Sequence, residues 1–266
     1  MLIATDLDGT LVSHGDPAPS AYCADVLRRL DQAEIPVVFV TGRPLRWMTG
    51  FWPHVGQQGL AIVSNGAVIY DAGASEVIAH TGIEPEAGHE IVAAVTEAVP
   101  GATFAIECLD GIRQDTAYAD ADVVSRTSRR GPLMDLWDGP ALKLLVRYPP
   151  AESHAQRDRV IATVGDRATA TWSMNGLVEI SARHVTKASA LTSLCERLGV
   201  RSTDVLAFGD MPNDIPMLSW AGTSYAMDNA HESVRAVADH IAPGFHTDGV
   251  ARVLDSIVTG DLWANR

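Results

Sequence analysis

Residues 2–10 read LIATDLDGT, an apolar run that ends in two aspartates one residue apart. A short continuous apolar run closed by polar and glycine residues is the pattern of a strand buried on both faces, as in a parallel sheet. If the chain stays extended through the acids, Asp6 and Asp8 project from the same side, because side chains alternate along a strand. Two like charges side by side repel, so the pattern implies a cation between them.

The same pattern recurs outward from this stretch. PVVFVT at 36–41, LAIVSN at 60–65 and VLAF at 205–208 are further apolar runs. They are separated by helical patterns at 19–33, after Pro44, and at 187–198 and 214–221. Ala67 to Tyr70 and Val77 to His80, around Asp71-Ala72-Gly73, read as a hairpin appended to the sheet, and short strands follow near 224–227 and 239–242. Strands alternating with helices imply an α/β domain with a parallel sheet covered on both faces. From about 83 to 183 the order changes to a helix at 84–98, strands at 103–108 and 112–115, a helix, a strand at 141–148, a helix, and a strand pair at 168–173 and 177–181. Clustered strand pairs imply a mostly antiparallel sheet with helices on one side. A second, α+β domain is thus inserted in the first.

The 266 residues, 47% of them hydrophobic, suffice for a substantial core. There is no run of 18 or more uncharged apolar residues, and Met1 leads directly into a strand pattern without a basic start, so a cytoplasmic location is expected. Cys23, Cys108 and Cys195 are far apart in apolar segments and read as buried thiols, not as a disulfide framework or a CxxC metal site. The net charge of −13 opposes nucleic-acid and anionic-membrane partners, and a small anionic substrate then needs a locally positive pocket. Only two lysines, Lys143 and Lys187, stand against eighteen arginines. A mechanism that needs a lysine therefore has two candidates.

Ligands of open parallel sheets bind beyond the carboxyl ends of the strands. The polar residues fall there: Asp6 and Asp8, Thr41-Gly42-Arg43, Ser64-Asn65-Gly66 and Gly209-Asp210. In GDMPND, residues 209–214, a helix N-cap accounts for one acid but not for Asp210, Asn213 and Asp214 together. Hard oxygen ligands close to Asp6 and Asp8 suggest a Mg²⁺ site. An EF-hand is excluded, since glycine stands fourth in DLDGT and Leu11 takes the sixth position, where that loop needs glycine. Lys187 opens a helix on the same face as Leu191, Leu194 and Leu198, at the end where the helix dipole disfavours a cation. Lys143, within ALKLLVRY, reads as a structural or edge lysine. Thr41, Gly42 and Arg43 ahead of Pro44 combine a hydroxyl, a flexible amide and a helix start, which suits phosphate.

DLDGT at 6–10, TGR at 41–43, Lys187 and GDMPND at 209–214 resemble, in order and spacing, the four motifs of the haloacid dehalogenase (HAD) superfamily phosphatases. The insert between the second and third motifs resembles the class IIB cap of the Cof-type branch, and SNGA at 64–67, AMDNA at 226–230 and DGVARVL at 248–254 are similar to further signatures of that branch. Ala188 and Asp228 stand where that pattern leads one to expect glycine. The resemblance implies a Rossmann-like HAD core with a parallel sheet, residues 1–82 and 184–266, and an inserted α+β cap that sets substrate specificity, residues 83–183.

By the same resemblance Asp6 is the nucleophile that forms an aspartyl-phosphate, Asp8 the general acid and base, and Lys187 the cation on the phosphate and Asp6. Thr41, Gly42, Arg43 and Asn213 then bind phosphate or substrate, and Asp6, Asp8 (through its carbonyl), Asp210 and Asp214 hold Mg²⁺. A dianion ~5 Å from one carboxylate at an effective dielectric of ~20 meets roughly 3 kcal/mol of repulsion per charge pair, so four acids without cations would expel it. A free aspartate would be ionised at neutral pH, and crowding by Asp6 and Asp210 is expected to raise Asp8 for its acid role. Arg43, Arg183 and the cluster Arg126, Arg129 and Arg130 are candidates for a second portion of substrate, although the cluster reads first as a solvated face. Glu179 and His184 border the cap hinge.

The implied activity is Mg²⁺-dependent hydrolysis of a small phosphorylated metabolite, most plausibly a sugar or polyol phosphate, by a monomer or small homo-oligomer. A phosphomannomutase-like phosphotransferase is one alternative. A receiver-like phospho-aspartate module is another, against which Asp8 and the large insert argue.

Overall fold

A computed structural model of the chain describes residues 1–118, 128–148 and 153–260. The chain divides into two units, one of Met1–Ala79 with Lys187–Arg266 and one of His80–Thr186.

The first unit is built on an eight-stranded sheet. Its strands are β1 (Leu2–Thr5), β2 (Val37–Val40), β3 (Leu60–Val63), β4 (Val68–Asp71) and β5 (Glu76–His80), followed after the insert by β12 (Val205–Gly209), β13 (Thr223–Met227) and β14 (His240–Ala242). Their order is β14-β13-β12-β1-β2-β3-β4-β5. The pairs β1·β12, β1·β2, β2·β3, β12·β13 and β13·β14 are parallel, β3·β4 is antiparallel, and β5 lies beside β4 at the end of the sheet. Every residue of β1, β2, β3 and β12 is buried, which is why these strands read as unbroken apolar runs.

Helix α1 (Ala21–Gln32) is capped by Ser20, whose hydroxyl accepts from the Cys23 amide, and buries Cys23, Val26, Leu27 and Leu30 at helical spacing. Helix α5 (Lys187–Leu198) lays Ala190, Leu191, Leu194 and Cys195 against Leu2, Ala4, Val38, Val40 and Ala207 on one sheet face. Ile3, Phe39 and Phe208 alternate to the other face and are equally buried. Helices α6 (Ile215–Trp220), α7 (Glu232–Arg235) and α8 (Gly249–Val258) complete the unit. The helix expected after Pro44 is only a 3₁₀ turn over Leu45–Trp47, with Pro44 at its cap in extended conformation. A second such turn covers Trp52–His54. No long helix dipole is therefore available behind Gly42 to hold a phosphate.

The second unit carries β6 (Thr103–Cys108), β7 (Gly111–Asp115), β8 (Arg129–Gly131), β9 (Lys143–Arg147), β10 (Thr169–Thr171) and β11 (Leu177–Ser181), in the order β10-β11-β9-β6-β7-β8. All pairs are antiparallel except β7·β8. Its helices are α2 (Pro85–Ala98), α3 (Leu133–Leu136) and α4 (Ser153–Val164). Ile91, Val92 and Val95 of α2 with Val160 and Val164 of α4 pack on Phe104, Ile106, Leu144, Val146, Val178 and Ile180, one face of the sheet. Lys143, Leu145 and Glu179 alternate to the opposite face. Lys143 is thus on a central strand, not an edge, and its ammonium pairs with Glu179 at 2.5 Å in a buried ion pair. Arg126 lies outside the described residues, while Arg129 and Arg130 are exposed on β8, with Arg129 paired to Asp138 and Arg130 bonded to the Thr116 and Tyr118 carbonyls. Arg183 and His184 are exposed. Among the described residues, no helix is long and apolar enough to cross a membrane.

Candidate active site

Strand β1 ends at Thr5, and the chain does not stay extended through the acids. The Asp6 amide continues the ladder by donating to the Phe208 carbonyl at 3.1 Å, after which the Leu7 carbonyl accepts from the amides of Thr10, Leu11 and Val12 in a tight turn. Gly9 makes the turn with φ +80°, a conformation that favours glycine, and the Asn229 side chain donates to its carbonyl at 2.7 Å. The turn separates the two carboxylates, so each finds its own cation.

Asp6 meets Lys187. The ammonium lies 2.6 Å from Asp6 Oδ1 and 2.6 Å from Asp214 Oδ1, with its side chain entirely buried. Its third N–H has no acceptor among the described residues, which leaves one donor for a ligand. Burial would push Lys187 down, but the carboxylates of Asp214 and Asp6 outweigh it and hold the ammonium well above the usual lysine range. Burial, with the neighbouring charges of Asp214 and Asp210, raises Asp6 well above the usual carboxylate range against the opposing pull of Lys187.

Asp8 meets Arg43. Nε donates to Asp8 Oδ2 at 2.7 Å and Nη2 to Oδ1 at 2.6 Å, the two-pronged geometry that favours arginine over lysine. Nη1 donates to the Asp16 carbonyl at 2.8 Å, and the guanidinium lies 4.8 Å from the centre of the Phe51 ring. Burial pushes the Asp8 carboxyl up, but the bonds and charge of Arg43 with the Gly15 amide outweigh it, and the group lies below the ordinary carboxylate value. The expected crowding therefore acts elsewhere. It is Asp210 that rises, to about 7, through burial and then the nearby charge of Asp214, with Thr10 donating to its Oδ1 at 2.9 Å.

Asp214 closes the 209–214 turn from inside. Its Oδ2 accepts from the amides of Asp210 and Met211, both at 3.0 Å, and its Oδ1 takes Lys187. Oxygens of Asp6, Asp210 and Asp214 lie within 4.8 Å of one another, all three residues buried. Asp6 Oδ2 and Asp210 Oδ2 accept no hydrogen bond among the described residues. Three buried acids against one ammonium leave negative charge uncompensated, and oxygens without a donor are hard ligands, so the set fits a divalent cation. The Asp8 carboxylate stands outside this group.

The remaining predicted residues gather at the ends of β2 and β3. The Arg43 carbonyl accepts from the Ser64 amide and the Thr41 carbonyl from the Asn65 amide, which joins the two strand ends beyond the sheet. Thr41 is buried, and its hydroxyl accepts from the Arg43 amide, which leaves its own proton to donate. Gly42 lies so close to Asn65 that an added Cβ would fall 3.0 Å from Asn65 Oδ1. Asn213 Nδ2 donates to the same oxygen at 3.1 Å. Asn65 Nδ2, Asn213 Oδ1 and Ser64 Oγ are buried without a partner among the described residues. Turning both amides over reverses the bond and leaves one unpartnered atom on each amide, now Asn65 Oδ1 and Asn213 Nδ2, so each side chain keeps one free polar atom in either assignment. Thr10, Ser64, Asn65 and Asn229 thus line the candidate site although the sequence pattern assigned them no individual roles; Thr10 lies within DLDGT, Ser64 and Asn65 on the polar rim at the strand ends, and Asn229 within AMDNA.

Residues 3–254 match the family described as haloacid dehalogenase-like hydrolase. The chain is 26% identical over 255 residues to a phosphoglycolate phosphatase of Halobacterium salinarum, covering 96% of each chain. It is 25% identical over 269 residues to a 5-amino-6-(5-phospho-D-ribitylamino)uracil phosphatase of Escherichia coli, covering 97% of this chain and 96% of that one. Among solved structures, the subclass IIB sugar phosphatase BT4131 superimposes with a TM-score of 0.81 at 19% identity, over 96% of this chain and 98% of that one, a likeness of fold.

Proposed function

The chain belongs to the haloacid dehalogenase-like hydrolases, and from that premise we propose that it hydrolyses a sugar or polyol phosphate through transient phosphorylation of Asp6. It is a phosphoric monoester hydrolase of small phosphorylated metabolites, the class in which its curated relatives are named. One relative is named for phosphoglycolate and another for a compound bearing a phospho-D-ribityl group, which supports a small hydroxylated or acidic leaving group. The observation that carries the mechanism is Asp6 Oδ1 at 2.6 Å from the buried Lys187 ammonium, inside the three-carboxylate cluster.

Asp6 attacks phosphorus, its oxygen forming the new P–O bond while the ester oxygen departs. Asp8 gives that oxygen a proton and later takes one from the water that cleaves the aspartyl-phosphate. Asp8 in the grip of Arg43 is ionised, which suits the second step. For the first step it must leave the guanidinium and take up a proton. Lys187 neutralises Asp6 and offers its third N–H to a phosphoryl oxygen, while Thr41, the Gly42 amide and the Asn65 and Asn213 amides orient the others. Mg²⁺ held by Asp6, the Asp8 carbonyl and Asp210, with Asp214 acting through water, would supply positive charge that lets a dianion approach. The inserted unit, residues 80–186, is assigned the choice of leaving group.

A panel of phosphorylated metabolites, assayed for inorganic phosphate with Mg²⁺ and again with EDTA, tests this reading. Metal-dependent release from sugar or polyol phosphates is expected. Transfer of phosphate to a second sugar with little release would make the protein a phosphotransferase, and activity indifferent to EDTA would remove the metal.

A further inference from the structure

Ser13 to Asp16 connect the turn at Gly9 to the approach of α1, and this loop is fastened to the site at several points. The Gly15 amide donates to Asp8 Oδ1 at 3.1 Å, Arg43 Nη1 donates to the Asp16 carbonyl at 2.8 Å, and the Ser13 amide donates to Asp16 Oδ2 at 3.2 Å. Gly15 takes φ +81°, which turns the loop back on itself. The exposed residue held at its tip is His14.

The His14 ring is aimed inward at the acids. Nε2 lies 3.2 Å from the point that a Cβ on Gly9 would occupy, and Asp210 Oδ2 lies 2.3 Å from that same point. Imidazole and carboxylate therefore face each other across the bare Cα of Gly9. A charge on the ring also favours the ionised form of Asp8. The ring nitrogen is not part of the carboxylate group gathered within 4.8 Å, so its position is beside the cluster.

We propose that His14 is a substrate-contacting residue on the leaving-group side, its ring nitrogen donating to a hydroxyl of the departing alcohol. The inference rests on the phosphatase reading above. Asp8 is the group that exchanges a proton with the leaving alcohol, and the loop is fastened to Asp8, so His14 is held on that side of the phosphorus. The exposed loop tip is open to a ligand, and Gly9 puts no side chain between His14 and Asp210. A histidine in this place recognises polyhydroxylated leaving groups and finds no such hydroxyl in an aryl leaving group.

The test compares full-length wild type with His14→Ala and His14→Gln on hexose, pentose and tetrose phosphates and on p-nitrophenyl phosphate. Thermal shift under Mg²⁺ titration is recorded alongside. His14→Ala is expected to lower kcat/KM for the best sugar phosphate by about tenfold, chiefly through KM, the scale of one lost hydrogen bond. Activity on p-nitrophenyl phosphate and the Mg²⁺ midpoint should stay within about twofold, and His14→Gln, which keeps a donor, should recover most of the loss. An equal loss on both kinds of substrate, a displaced Mg²⁺ midpoint, or no loss on either would overturn the assignment of His14 while leaving the hydrolase standing. A wild-type protein that releases phosphate from none of these compounds would overturn the phosphatase reading and this inference with it.

Discussion

The guanidinium of Arg43 holds both carboxylate oxygens of Asp8, at 2.7 Å and 2.6 Å, in a pair where the arginine side chain is 5% exposed and the aspartate 26%. The pair keeps Asp8 ionised below the usual carboxylate range. Asp8 therefore contributes stability above the ordinary carboxylate value, and that contribution is lost as pH falls through its lowered one. Arg43→Gln is expected to cost about 2 kcal/mol at neutral pH, below the figure for fully buried pairs because Asp8 keeps some solvent. Denaturant melts should show the gap between variant and wild type narrowing as the pH is lowered below the carboxylate range.

Asp6→Asn removes the nucleophile while keeping shape and hydrogen bonding. Turnover is expected to fall by about 10⁴-fold or more with the melting temperature little changed. Phosphate release near the wild-type rate would mean that another group attacks phosphorus.

Lys187→Met leaves Asp6 and Asp214 buried beside Asp210 with their shared cation gone. The metal-free variant should lose about 3–5 kcal/mol, the scale for breaking a buried pair, and most of its activity. Urea melts with and without Mg²⁺ check this, and the stabilisation by Mg²⁺ should be larger in the variant than in wild type.

Asp210, raised to about 7, binds a proton in the metal-free fold over a pH range where the unfolded chain has released it. Between the ordinary carboxylate value and about 7 this group therefore lowers stability as pH rises, the reverse of Asp8. A cation must displace that proton, so the Mg²⁺ midpoint measured by thermal shift should weaken as pH falls below about 7, by up to about tenfold per unit. A midpoint that does not move between pH 6 and 8 would exclude Asp210 as a ligand that titrates there.

Gly88 on α2 faces Trp137, and an added Cβ would fall 2.1 Å from the indole. Gly88→Ala is expected to destabilise the inserted unit by about 1–3 kcal/mol, since neither the rigid ring nor the helix backbone yields easily. Proteolysis should cut first within residues 80–186, with the Asp6 cluster unaffected.

Strands β1, β2, β3 and β12 were legible because each is buried on both faces and so is written as an uninterrupted apolar run. Strand β8 was not, since Arg129-Arg130-Gly131 is a short, charged sheet edge with no alternation to read. Proline after Gly42 announced a helix, yet Leu45–Trp47 makes one 3₁₀ turn, because Pro44 stays extended and the next turn restarts at Trp52. Asp6, Asp210 and Asp214 were legible as a group because strand ends of a parallel sheet meet on one rim, whereas Lys187, at the start of α5, was linked to them only through the family resemblance. The partner of Asp8 was not, because it depends on the turn at Gly9 and on the path of residues 13–16, neither of which has a periodicity. His14 left no signal for the same reason.

Strand β1 has β2 along one edge and β12 along the other, and the whole of residues 80–186 is translated between those neighbours. A nascent chain emerging from the ribosome therefore carries the aspartate-bearing strand half-paired, its second backbone edge bare, until Val205–Gly209 is synthesised. The contiguous insert has no such wait and is free to fold first. Lengthening the insert would prolong the interval in which that open edge can recruit a foreign strand, so the yield of soluble protein should respond to the insert's length even where the chemistry is untouched.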